Sequence, residues 1–285
     1  MDTASVRGFI TLILIFIALL LAVFLLTVKT KNKTSNRLMA AYFIVFAISI
    51  SVFFYANYVQ IPLALDMLRD QIGFFANPLL YLYVISCIYS DFKLQPKHLF
   101  HLIPFAIEVL IYFPNFYLAS NEQQIEFFSN YYTNIETKIS LVYGVLVTVV
   151  YLIFIFIELK KYKKLLMENY SSITNYNYKW LFQLARISVL LISLSVIKSV
   201  YKLFNSDEAI LDIMRIIITL VLLGYLCWIV LKSLYQPELF RGIDSKHQLV
   251  KNLIENEVST QNSETANQIS LLKNYMSTVE PYLNS

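Results

Sequence analysis

Five strongly polar side chains interrupt runs that are otherwise apolar: Asn77, Glu108, Lys198, Asp212 and Arg215. An ionisable group in hydrocarbon is costly to hold and tends to be kept for a purpose. Lys198 and Arg215, joined by Lys202, are of the type that receives an anionic group. Asp212 precedes Arg215 by three residues, the spacing of an ion pair along one helix face. Glu108 falls about ten residues into its run, near the bilayer midplane at a rise of about 1.5 Å per residue, so it calls for a basic partner or a proton. Together with Tyr112, Asn115 and the tyrosines of the segment 119–138, these residues predict a polar pocket for a small molecule, open to the outer side. The competing reading is snorkelling of the long cations plus a local Asp212–Arg215 pair. Asn77 precedes Pro78, which removes a hydrogen bond to the carbonyl of Phe74, and its amide is a candidate to replace that bond.

The elements that position these groups follow from composition. Hydrophobic residues make up 58% of the chain and charged residues 15%, with a mean hydropathy of +0.59. A soluble domain would carry about a quarter charged residues, so this apolar surface needs lipid as its solvent. A helix spanning the hydrocarbon takes roughly 20 mostly apolar residues. Seven such runs are read: Gly8–Val28, Leu38 to about Tyr58, Ile72–Tyr89, Leu99 to about Leu118, Ile139–Ile157, about Trp180–Phe204 and about Ile210–Leu234. The first is too long for a signal-peptide core and ends on Lys29, Lys31 and Lys33, as a retained helix does. Pro78, Pro104 and Pro114 predict kinks in the third and fourth helices.

Short loops rich in Lys and Arg stay cytoplasmic. The segments after the first span (Lys29, Lys31, Lys33, Arg37) and after the fifth (Lys160, Lys161, Lys163, Lys164, Lys179) are basic. Loops holding Asp66, Arg69 and Asp70, or Asp207 and Glu208, are neutral to acidic. The expectation is an all-α polytopic protein with its amino terminus outside and its tail inside. Residues 1–235 form the seven-helix domain and 236–285 a cytoplasmic helical tail. In that tail Leu249, Val250, Leu253 and Ile254, then Ile269, Leu272, Met276 and Val279, make two apolar stripes at helical spacing. Each is too short to stand alone in water, which predicts a partner and suggests a homodimer through the tail.

Enzyme chemistry finds little support. The five glycines form no phosphate cradle. His98 and His101 share a face, but no carboxylate or cysteine on that helix completes a metal set, and they are read as interfacial. Cys87 and Cys227 are read as packing residues, and Arg186 as a snorkelling cation. No enzyme activity, cofactor or metal is expected.

Four stretches carry a resemblance: NPLLYLYVISCIYSDFKLQPKHLFHLIPF at 77–105, NYKWL at 177–181, LYQPELFRGI at 234–243 and LLKNYMSTVEPYLNS at 271–285. They resemble the multi-pass membrane sensor region at the front of AraC-type helix-turn-helix transcriptional regulators. Asn77 departs from that pattern, which often has Gly before the proline. The resemblance implies a sensor in the bacterial cytoplasmic membrane, detecting an external or membrane-borne small molecule. It would relay that signal through the tail to a DNA-binding domain not contained in residues 1–285. A small multi-pass transporter, or the sensor half of a histidine kinase, is the alternative.

Overall fold

The first apolar run has no glycine or proline in its interior, and in hydrocarbon an unbroken helix is the way to satisfy its backbone. It forms α1, Thr3–Thr27. The computed structural model describes residues 3–28, 33–56, 58–89, 91–169, 176–204 and 207–235. The tail stripes, the likeness at 271–285 and the basic residues Lys29 and Lys31 lie outside the described residues.

The second crossing joins α2 (Lys33–Ile50) to the short α3 (Val52–Tyr55). The third runs through α4 (Leu63–Ile72), a 3-10 turn at Gly73–Phe75 and α5 (Ala76–Ile88). The fourth combines a 3-10 segment, Pro96–Leu102, with α6 (Ile103–Tyr112) and a π-helical turn at Phe113–Tyr117. After α7 (Asn121–Ser129) come three long helices, α8 (Ile135–Asn169), α9 (Tyr176–Phe204) and α10 (Glu208–Tyr235). Seven of these crossings are long and apolar enough to span a membrane.

Three boundaries differ from expectation. Asp66, Arg69 and Asp70 lie in α4 rather than in a loop. Their charges are satisfied locally: Arg69 Nε donates to Asp66 Oδ1 at 2.7 Å, and Tyr55 Oη donates to the same carboxylate at 2.5 Å. Within the segment 119–138, Ser120 and Gln123 form a reciprocal capping box that starts α7. Finally, α8 continues past Glu158 and the following lysines, because Leu159, Tyr162 and Leu166 recur on one face and are buried.

Each of the three prolines lies at a departure from regular α-helix. Pro78 and Pro104 sit in the first turns of α5 and α6, directly after the 3-10 segments Gly73–Phe75 and Pro96–Leu102, and Pro114 lies within the π-helical turn.

Helix contacts close a ring: α1 packs on α2, α2 on α5, α5 on α8, α8 on α9, α9 on α10, and α10 returns to α1. α6 lies outside it, against α8 and α4. The helix ends are matched by contacts. Arg7 of α1 lies over the Phe53 ring of α3 and near Asp212 of α10, and Ser35 of α2 donates to the Ser86 carbonyl of α5. The main core draws on all six ring helices, with Ala18, Phe43, Tyr83, Leu159, Leu181 and Leu226 among its buried members. A smaller aromatic cluster of Met67, Tyr112, Phe116 and Phe127 closes α4, α6 and α7 together. Outward faces are strongly apolar, as at Phe9, Phe16 and Leu110, which suits contact with lipid.

Candidate functional site

At the end of the bundle where α1 begins, α1, α8, α9 and α10 surround a cavity of about 610 Å³. Its wall brings five cations together: Arg7, Lys138, Lys198, Lys202 and Arg215. Each helix contributes from the turns nearest that end, so residues far apart in sequence face one space. Two carboxylates offset part of this charge. Arg215 Nη1 donates to Asp212 Oδ1 at 2.6 Å and to Glu208 Oε2 at 3.1 Å. Arg7 Nη1 stands 3.9 Å from the same Asp212 oxygen. Lys202 Nζ sits 3.3 Å from the centroid of the Tyr132 ring, a cation–π placement.

Lys198, half-buried, and Lys138, exposed, make no side-chain hydrogen bond or ion pair among the described residues, in a cavity wall already rich in positive charge. Two polar atoms in that wall are buried without a partner, Arg7 Nε and Thr137 Oγ1, and Thr137 is only 8% exposed. Buried polar groups are normally hydrogen-bonded, so each of these calls for a group that enters the cavity.

A second, shallower groove of about 350 Å³ runs between α8 and α9, with Phe74 of the 3-10 turn at its side. Its walls are largely apolar, including Val145, Leu191, Ile192 and Val196. Leu141, Ser195 and Ser199 line both spaces, so groove and cavity adjoin.

The single pocket expected from the sequence is divided in the structure. Lys198, Asp212 and Arg215 do meet, together with Lys202 and Tyr132. Glu108, Tyr112 and Asn115 fall outside that wall: Glu108 and Tyr112 are buried, the Tyr112 hydroxyl without a hydrogen-bond partner among the described residues, and Asn115 is exposed. Glu108 is 1% exposed and accepts a hydrogen bond from Ser140 of α8, while its second oxygen lacks a partner. No basic residue pairs with it among the described residues. Asn115 Nδ2 donates to Glu136 Oε1 at 2.5 Å, and Tyr117 Oη donates to the fully buried Gln71 at 2.7 Å. Nearby, burial, ahead of the Asp70 charge, raises the Tyr131 hydroxyl above its ordinary range. On α8, Thr137, Lys138 and Leu141 line the cavity, Glu136 accepts from Asn115, and Ser140 both donates to Glu108 and lines the groove.

Asn77 serves neither. Its Nδ2 donates across to Thr148 Oγ1 of α8 at 2.9 Å, and that hydroxyl donates on to the Gly144 carbonyl at 2.7 Å. It ties α5 to α8 instead of capping its own helix. Arg186 is exposed and lies over the Phe182 ring. Cys87 is buried in the core, whereas Cys227 is exposed on the outer face of α10. His98 Nδ1 accepts from the Gln95 backbone at 2.9 Å, and His101 Nδ1 lies 2.8 Å from Tyr151 Oη. Among the described residues no three His, Cys, Asp or Glu side chains are grouped to hold a metal.

Arg7, Thr137 and Lys138 were not expected at the site. Arg7 reads as an ordinary charge flanking a span, and Lys138 as the edge of a loop. The signal available was collective: cations Arg7, Lys138, Lys202 and Arg215 recur at the helix ends that the loop-charge rule would leave poor in them.

The arrangement can receive an anion and hold it against several helices at once. No protein-family model, curated protein or solved structure matches the chain.

Proposed function

We propose that the protein is a membrane-embedded sensor that binds an anionic group in the cationic cavity and relays occupancy through α9 and α10 to the tail beyond Tyr235. What supports this reading is one observation: five cations, with Lys198 unpaired among the described residues, converge on a cavity walled by the helix that leads into the tail. An anion there would draw α1, α8, α9 and α10 inward, and it shifts the bundle only insofar as it binds one helix arrangement better than another. On the sequence resemblance, the tail would carry the signal to an AraC-type DNA-binding domain, in a bacterial cytoplasmic membrane with the cavity facing outward.

The test uses the native host and an antibody to the chain. Chromatin immunoprecipitation should enrich discrete promoters. Arg7→Gln with Lys198→Gln removes two charge-assisted contacts and should shift that occupancy by about tenfold or more. An absence of promoter enrichment removes the transcriptional part of the proposal. Enrichment indifferent to the double variant removes the sensing part.

A further inference from the structure

The adjacency of the cavity and the groove, which share three lining residues, carries a second step, which rests on the anion-binding reading above. We propose that the ligand is a single-chain anionic amphiphile, with its carboxylate or phosphate head in the cavity and its acyl chain along the groove between α8 and α9. The two spaces differ in chemistry. The cavity presents Arg7, Lys198 and Arg215, while the groove presents Val145, Ile192 and Val196, and the two share Leu141, Ser195 and Ser199 at their junction. Each volume, about 610 and 350 Å³, falls within the range of roughly 300–1,000 Å³ that small-molecule sites occupy.

A small free anion would use only the first space. A neutral lipid would use only the second, leaving Lys198 and Thr137 Oγ1 without partners. The joined site fits a molecule that carries both parts. An acyl chain gains little free energy merely by leaving lipid for an apolar groove, because lipid tails are as apolar as Leu. Selection therefore comes from the head group, and the groove directs the chain.

The full chain in nanodiscs is photolabelled with lysophosphatidate bearing a diazirine near the chain terminus, and inorganic phosphate binding is measured in parallel. Adducts should concentrate on Val145, Ile192 and Val196. Excess unlabelled lysophosphatidate should compete them away, the monoacylglycerol of the same chain should not, and Lys198→Gln should reduce them by about tenfold. Because the labelling pattern is read on the unmodified protein, the result does not depend on any variant folding. Adducts spread over the outward-facing Phe16, Leu146 and Val150 overturn the amphiphile. If phosphate still binds the unmodified protein and is lost in Lys198→Gln, the anion site stands and only the chain-bearing ligand falls. If neither phosphate nor probe responds to Lys198→Gln, both readings fall.

Discussion

Around Trp180 the rings pack closely on one another, although the hydroxyl of Tyr225, stacked on Trp228, is buried without a partner among the described residues. Trp180 Nε1 donates to Tyr83 Oη at 3.1 Å, its ring stacks on Trp228 at 4.9 Å, and Tyr83 is fully buried. Around Lys198, at the opposite ends of the same helices, the walls stand apart and buried polar atoms lack partners. α9 and α10 therefore run from a packed junction to an open, charged one. Protein interiors are close-packed, and a void lined by polar groups forfeits both contacts and hydrogen bonds. The contrast shows where stability is concentrated and where it has been given up to a site.

Mutations at the two ends should act with opposite signs. The largest effect is expected for Trp180→Ala, which removes the stack and leaves Tyr83 Oη without its donor. It should destabilise by about 3–5 kcal/mol in detergent-induced unfolding, the usual range for truncating a large buried aromatic. Lys198→Met should instead stabilise by about 1 kcal/mol, since replacing partly buried charge by apolar volume is often favourable. A loss of stability in Lys198→Met would show that the cavity end is packed core, and the comparison would break there. The smallest effect is expected between the two ends, at Asn77→Ala. One interhelical hydrogen bond in a membrane protein is worth about 0.6 kcal/mol on average, and that loss, read in the same unfolding assay, would sharpen the contrast.

Much of the fold was legible because lipid simplifies the code. A long apolar run admits a helix, and seven runs of that kind yielded seven helical segments long and apolar enough to cross a membrane. What escaped was any feature set by side-chain satisfaction. Asp66 and Arg69 read as a loop until each is seen to neutralise the other inside α4. Glu158 and the lysines after it read as a helix end, although Leu159, Tyr162 and Leu166 hold the helix together beyond them. At the site, the Asp212–Arg215 pair and its nearness to Lys198 were readable from spacing. Assigning Glu108 to the same pocket was not safe, because depth in the membrane says nothing about which helix a side chain faces. Its partner, Ser140, lies 32 positions away and is an unremarked serine in a hydrophobic run.

The length of α8 has a mechanical consequence. Its 35 residues make a rod of about 52 Å, against a hydrocarbon core of about 30 Å. One end carries Thr137 and Leu141 in the cavity wall, and the other carries Lys160, Lys161, Lys163 and Lys164, with no break between them. Such a rod pivots as a unit. A tilt of about 5° about the cavity end would sweep the far end through roughly 4–5 Å at that length. A rearrangement too small to notice at the cavity would thus arrive at the far end of the helix as a displacement the size of a side chain.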